Sequence, residues 1–353
     1  MKRLIDDPHI YQIMGVKLGD LVNKREIVEK ELSGKKVAVD TYNILYQFLA
    51  SIRTPEGYPL STSDGKIISH LKGLFNRCTH FISIGMKPVF VLDGEPHTLK
   101  KGTLDLRRER KERAKLEWEK ALEEGDLKRA RSKAQQTSRL TDDMVQEAVH
   151  LLDLLGVPSI RAPSDGEAQA AYMSRRGDVF GVVSQDMDTL LFGTKQLIRN
   201  LGISGRRKLP GVNRWVNVKP EIIDLKWTLN TLDITREQLV DMAILIGTDF
   251  NEGIKGIGPK RALSIIKKYG NLEIAAKDER IPLLEWDEIR EIFLNPKLIE
   301  SYDVEMGEID YSGVEEYLVD EFGFGREGVL KVLEKLRVGS SKNSQSSLDS
   351  FFV

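Results

Sequence analysis

Three short stretches decide how this chain is read: KKVAVD at residues 35–40, KPVFVLD at 87–93 and VFGVVSQD at 179–186. Each is a β-branched apolar run bounded by polar residues and ending in an aspartate. That is the pattern of a strand buried on both faces in a parallel sheet. Between the first two, Ile67, Ile68, Leu71, Leu74, Phe75, Cys78, Phe81 and Ile82 recur at helical spacing, which predicts an amphipathic helix within 64–86. Residues 141–155 repeat the spacing with Met144, Val145, Ala148, Leu151, Leu152 and Leu155, and Gly156 stops that helix. Strands alternating with helices predict an α/β fold, a mainly parallel central sheet flanked by helices.

The rest of the composition excludes several function classes. A chain of 353 residues, 41% hydrophobic and 30% charged, has an ordinary globular composition with ample core for one to three domains. No apolar run reaches the ~18 residues a membrane helix needs, so no membrane role is expected. The single cysteine, Cys78, rules out an intramolecular disulfide and a thiolate zinc site, and fits a reducing, intracellular compartment. With only five scattered histidines, any metal has to be held by carboxylate oxygens, which points to a hard cation such as Mg²⁺ or Mn²⁺.

The net charge of −1 hides a segregation. Residues 96–139 hold 14 Lys or Arg against 8 Asp or Glu, a net of +6, with few apolar residues beyond Leu104, Leu106, Leu116, Trp118 and Leu122. A helix over about 104–124 would be polar on nearly all sides, either a solvated insertion or a functional flap over the carboxyl edge of the sheet. From Arg236 onward the chain reads as helical, with GIKGIGPKRA (253–262) set between two amphipathic segments. The end, GSSKNSQSSLDSFFV, reads as a disordered Ser-rich linker closing on two aromatics.

Ligands of open α/β sheets bind beyond the carboxyl ends of the strands. Asp40, Asp93, Asp186 and Asp188 fall at such ends, Asp165 and Glu167 follow the apolar bit around Pro158–Ile160, and Asp249 follows MAILIGTD. One such aspartate means little, and Ser164 with Glu167 also fits a capping box. Seven together are different. Two unit charges ~4 Å apart repel by ~4 kcal/mol at an effective dielectric of ~20. Such a cluster needs protonation or divalent cations, which predicts a two-metal site for phosphodiester chemistry. A Walker loop is absent, because Pro259 stands where its lysine belongs.

MGVKLGDL (14–21), VAVDTYNILYQFL (37–49), KPVFVLDG (87–94), APSDGEAQAAYM (162–173), SQDMDTLLFG (184–193), GTDFNEGIKGIGPKRA (247–262) and QSSLDSFF (345–352) together resemble the flap endonucleases of the 5′-nuclease superfamily, especially archaeal ones. The resemblance implies a structure-specific endonuclease, with 5′–3′ exonuclease activity, that cuts branched DNA carrying a 5′ flap in replication and repair. It implies two Mg²⁺ per subunit, with Mn²⁺ as a substitute, held by the seven carboxylates, although position 165 is usually glutamate. Lys100 and Arg107 match a basic pair at the scissile phosphate, Tyr46 an aromatic that stacks on a nucleobase, and Arg53 and Arg77 contacts to the template strand. The segment 253–262 becomes a helix-hairpin-helix turn, in which Gly256, Gly258, Lys260 and Arg261 meet DNA phosphate and the carbonyls of Gly253, Ile254 and Ile257 hold K⁺. Gln345, Leu348, Phe351 and Phe352 match a peptide that binds a sliding clamp of the PCNA type. A monomer in the archaeal cytoplasm or nucleoid follows.

The partition implied is a nuclease region over 14–95, a helical arch or clamp over 96–139, a second nuclease region over 140–250, the hairpin element over 236–275, a C-terminal helical region over 276–338 and a flexible tail over 339–353. Family members begin at a Met-Gly-Val or Met-Gly-Ile block, here Met14 to Val16, so residues 1–13 are expected to be a non-native or disordered extension. The rival readings are another nuclease of the superfamily, either a 5′-exonuclease or a bubble-cutting repair enzyme, and a non-catalytic DNA-binding clamp adaptor. An adaptor predicts lost carboxylates, whereas all seven positions are acidic.

Overall fold

The computed structural model describes residues 16–349 except 17, 203–205, 209–214 and 279–284; for 101, 206–208, 215–217 and 339–349 it describes the backbone alone. The strands are β1 (Lys24–Glu26), β2 (Lys36–Asp40), β3 (Lys87–Leu92), β4 (Ser159–Arg161), β5 (Gly181–Val183), β6 (Gln196–Arg199), β7 (Arg206–Lys208), β8 (Trp215–Asn217) and β9 (Glu221–Asp224). Seven form one sheet in the order β1-β9-β6-β5-β2-β3-β4, and β7 pairs with β8 alone. The run from β6 to β4 is parallel, while β9 pairs antiparallel with both β6 and β1. The expected mainly parallel sheet is what forms.

Alternation along β2 sends side chains to both faces, as a doubly covered strand requires. Val37 and Val39 enter one core with Phe90, Val183 and Ile198, while Ala38 enters another with Val89, Val91 and Val182. The first face is covered by α1 (Thr41–Ser51), α2 (Ser69–Ser83) and, after an insertion formed by α3 (Lys101–Glu123) and α4 (Leu127–Ala134), by α5 (Asp142–Leu154). Fully buried Phe75, Phe81 and Phe90 anchor it, each contributing ~1.5–3 kcal/mol of apolar burial. The other face carries α6 (Gly166–Arg176), α7 (Asp188–Leu191), α8 (Leu225–Leu232), α9 (Arg236–Ile246), α10 (Pro259–Tyr269), α11 (Leu272–Asp278) and α12 (Trp286–Leu294).

Two expectations need correction beyond this point. The chain past Arg236 is not helical throughout, because residues 295–310 form a strap without helix or strand. Pro296 follows α12, and the strap's polar groups are met elsewhere: Gln169 and Ile299 exchange two hydrogen bonds (2.9 and 3.0 Å), and Gly307 N donates to Gly156 O (2.8 Å). The tail does not begin as a loose linker at Gly339. After α13 (Tyr311–Glu315), α14 runs from Arg326 to Asp349, carrying the backbone of Gln345 and Leu348 with it. Val329, Leu333 and Leu336 seat its first turns in the core, and extending a nucleated helix through one glycine costs only ~1 kcal/mol. Phe351, Phe352 and the extension 1–13 lie outside the described residues.

The basic insertion is helical as expected, but it is two helices rather than one. Ala114, Ala121, Ala130 and Ala134 are buried along the seam between α3 and α4, and Lys133–Glu117 (2.6 Å) and Arg129–Glu124 (2.8 Å) tie the pair from outside. Alanine is too weakly hydrophobic to mark this seam in a sequence pattern.

Candidate active site: an acidic cluster at the carboxyl edge of the sheet

β5, β2 and β3 are neighbours and run in one direction, so the residues leaving them emerge side by side. Asp40 is the last residue of β2 and also the N-cap of α1, accepting from Asn43 N (3.0 Å). Asp93 follows β3 and accepts from Gly166 N (2.7 Å), which draws the start of α6, with Asp165 and Glu167, against it. The capping box available to Ser164 and Glu167 does not form: Asp165 is the N-cap, with no side-chain cap bond. Glu167 instead accepts from Thr189 Oγ1 (3.1 Å), and the single hydroxyl hydrogen of Ser184 is shared between Glu167 (3.2 Å) and Asp40 Oδ2 (3.0 Å). Asp186 accepts from Asp188 N (3.0 Å), and Asp188 accepts from Val16 N (2.6 Å). Asp249, in the loop after α9, completes the set, and its charge acts on Asp93, Asp186 and Asp188.

The charges of these groups act on one another. Burial raises the carboxyl of Asp40 to about 7, with Asp93 and Asp186 adding to the rise. Burial and the Asp249 charge carry Asp186 to about 6. Glu167 and Asp188 are pushed well above the carboxylate range by burial and then by Asp186, and Asp93 is raised by burial. Desolvated like charges resist ionising together.

Two cations lean into the cluster from the root of the insertion. Lys100 Nζ bonds to Asp165 Oδ1; burial alone would lower its pKa, but Asp165, Asp93 and Asp249 hold it above its ordinary value. Arg107 Nη2 contacts both oxygens of Asp249 (2.6 and 2.7 Å), while its buried Nε has no hydrogen-bond partner among the described residues. Thr103 Oγ1 donates to Asp249 O (2.8 Å), so α3 is fastened to this loop at two points one turn apart.

The other predicted residues separate into two groups. Tyr46, on α1, faces the insertion, with Lys111 Nζ 4.9 Å over its ring. Gly256, Gly258, Lys260 and Arg261 are exposed around the start of α10, and nothing crowds the two glycines. Gly253 (φ 70°) needs to be glycine, since a Cβ there would meet Ile246 C and O at 2.3 Å. Arg53 and Arg77, by contrast, are engaged inside the protein. Arg53 donates to Leu49 O (2.8 Å), Gly57 O (2.7 Å) and Ser138 Oγ (2.9 Å), and Arg77 to Leu201 O (2.6 Å); burial lowers each to about 10. Sequence reading passed over Ser184, Thr189 and Asn43, which orient the acids. Their signal was adjacency, since Ser184 and Thr189 flank the two aspartates of SQDMDT.

Among the described residues, no three carboxylate, imidazole or thiol groups already surround a point as ligands of one ion. The donor set fits a hard divalent cation even so: it is all oxygen, buried, and too anionic to ionise unaided. An acid cluster of this kind, overhung by a lysine and an arginine, is the apparatus of a metal-dependent phosphodiesterase. Residues 14–114 match the XPG N-terminal domain and 156–249 the XPG I-region. Flap endonuclease 1 of Archaeoglobus fulgidus is 47% identical over 339 residues, covering 96% of this chain and all of the relative, and that of Pyrococcus abyssi is 46% identical over 341 residues, covering 96% and 99%. The solved flap endonuclease-1 from Methanococcus jannaschii superposes with a TM-score of 0.74 at 39% identity, covering 93% of this chain and 100% of the other. The chain belongs to the flap endonuclease family.

Proposed function

We propose that this protein is a structure-specific 5′ flap endonuclease with 5′–3′ exonuclease activity, hydrolysing phosphodiester bonds of branched DNA in replication and repair. The observation that carries this reading is the convergence of seven carboxylates with Lys100 and Arg107 at one edge of the sheet. Asp40, Asp93, Asp165, Glu167, Asp186, Asp188 and Asp249 would hold two Mg²⁺, with Mn²⁺ able to replace them. When bound, the cations would lower the pKa of an attacking water and neutralise charge on the scissile phosphate. Ser184 and Thr189 fix the Glu167 carboxylate, and Asn43 fixes Asp40, so the acids keep their orientation. Lys100 and Arg107 each have an acidic partner here, and a phosphate entering between them and the acids would take over those donors.

Around this centre, Tyr46 stacks on a nucleobase at the foot of the arch formed by α3 and α4. The positive, exposed arch suits sequence-independent contact with a single strand. Gly256, Gly258, Lys260 and Arg261 contact duplex phosphate, and K⁺ is held by carbonyls of Gly253, Ile254 and Ile257. A sliding clamp takes the tail through Gln345, Leu348, Phe351 and Phe352, and the protein works as a monomer. The half-buried hydrogen bonds of Arg53 and Arg77 suit a part in shaping the surface that meets the template strand. The test is a 5′-labelled double-flap substrate: Mg²⁺ should yield one short labelled product, and EDTA should abolish it. Release of labelled product in EDTA at the Mg²⁺ rate would overturn the proposal.

A further inference from the structure

Behind the acid cluster, two guanidinium groups converge on one carbonyl oxygen. Arg175, in the last turn of α6, donates through Nη1 to Phe192 O. Arg236, the first residue of α9, donates to the same oxygen (3.1 Å), to Leu191 O (3.4 Å) and, through Nη2, to Leu294 O at the end of α12 (3.5 Å). Gly193 makes the approach possible. At φ 91° it tolerates its turn, and a Cβ there would lie 2.9 Å from Arg236 Nη1 and 3.3 Å from Arg175 Cδ.

The arrangement is costly as mere packing. Among the described residues neither guanidinium forms a direct ion pair, Glu237 beside Arg236 only partly offsets its burial, and both are half-buried. Burial lowers both pKa values, and the neighbouring Arg236 lowers that of Arg175 further. A carbonyl oxygen has two lone pairs and can accept both donors, but a neutral amide would serve it without the repulsion.

What the two arginines share is the identity of the segments they join. α6 begins at Asp165 and Glu167, α7 follows Asp186 and begins at Asp188, and α9 leads into Asp249. Phe192 lies only about 6 Å along the chain axis from Asp188, at 1.5 Å per residue. Its ring packs on Phe293 (4.9 Å between centroids), Phe293 packs on Phe250 (5.4 Å), and Lys100 Nζ sits 5.1 Å over Phe250, the neighbour of Asp249. The bolt therefore sits at the exit of α7, where a displacement would move Asp186 and Asp188 relative to the acids on α6 and after α9.

We propose that Arg175 and Arg236 are positioning residues for the metal-binding carboxylates, bolting the exit of α7 to α6 and α9 so that Asp186 and Asp188 keep their spacing from Asp165, Glu167 and Asp249. This rests on the nuclease reading of the cluster. Residues behind a metal's ligands commonly change affinity or activity 10–100-fold when altered.

The experiment titrates Mn²⁺ by calorimetry into DNA-free wild type, Arg175→Gln, Arg236→Gln, Arg236→Lys, the double variant Arg175→Gln/Arg236→Gln, and Asp186→Asn as control. Each is accompanied by thermal unfolding in EDTA and by double-flap binding in EDTA. Arg236→Gln should bind Mn²⁺ about 10-fold more weakly, with Arg236→Lys between it and wild type. The double variant should lose less than the product of the single losses, because both donors serve one oxygen. DNA affinity in EDTA should stay at wild type, and in Mg²⁺ the loss should fall on kcat rather than on KM for DNA. Mn²⁺ affinity within twofold of wild type in the folded double variant overturns the proposal, as does failure of both Arg236→Gln and Arg236→Lys to fold. If wild type and Asp186→Asn bind Mn²⁺ alike, it is the nuclease reading of the cluster that fails.

Discussion

Replacing Asp186 by asparagine should make the metal-free protein more stable while removing its activity. In the fold, Asp186 is raised from 3.8 to about 6 by burial and by Asp249. At 1.36 kcal/mol per pKa unit, the ionised side chain costs the fold ~3 kcal/mol, an upper bound because its neighbours titrate with it. The sign follows from linkage. Below pH 3.8 the group is protonated in both states and costs nothing; as pH rises, the unfolded chain releases the proton first, and stability falls until the folded pKa is passed. Asp40, raised to about 7, extends the decline. Metal-free wild type should therefore lose stability from about pH 4 to pH 7, and Asp186→Asn should show a shallower slope. Asparagine keeps an oxygen for Asp188 N, so the variant should exceed wild type by about 1–3 kcal/mol at pH 8 in EDTA. Saturating Mg²⁺ should reverse the order, since a ligand at 100 times its Kd stabilises wild type by about 2.7 kcal/mol. Urea unfolding at pH 5 and pH 8, with EDTA or Mg²⁺, measures all four corners. An Asp186→Asn protein less stable than wild type at pH 8 in EDTA would refute the electrostatic argument, whatever its cleavage rate.

Other consequences are open to direct measurement. Arg107→Met should lower single-turnover cleavage by about 10²–10³-fold with little change in flap affinity, the loss expected for one oriented donor at the reacting group; a fall in affinity alone would move Arg107 out of the site. Asp165→Glu should remain active and Asp165→Ala should lose most activity, because a lengthened carboxylate can still meet Lys100; an alanine variant as fast as wild type would exclude Asp165. Trp118→Ala removes an indole that donates to Glu56 O (3.1 Å) and stands edge-on to Tyr58 (5.0 Å), so protease should nick α3 and α4 sooner while the global unfolding midpoint barely moves. Unchanged digestion would mean that the insertion does not depend on this contact. Changing Phe351 and Phe352 to alanine should abolish stimulation by a sliding clamp and leave clamp-free cleavage intact, which a clamp titration decides.

Periodicity alone determined that 35–40 and 87–93 are parallel strands and that their terminal aspartates emerge together, because the alternation of a doubly covered strand and the direction of a parallel sheet are local consequences of sequence. Six of the seven acids were legible for the same reason, since they follow the ends of neighbouring parallel strands; Asp249 follows a helix, and strand direction says nothing of where it comes to lie. Tertiary structure alone decided what those acids touch. Lys100 meets Asp165 across 65 positions and Arg107 meets Asp249 across 142, separations over which no periodicity carries information. The alanine seam between α3 and α4 was invisible because a methyl group barely registers as hydrophobic until a second helix closes over it. The bonds that Arg53 and Arg77 make to Gly57 O and Leu201 O were not legible either, because they join the arginines to turns and loops that only the fold brings beside them. The convergence of Arg175 and Arg236 on Phe192 belongs to the same class: it exists only once α6, α7 and α9 have packed, and packing is what brings distant polar groups to a single oxygen.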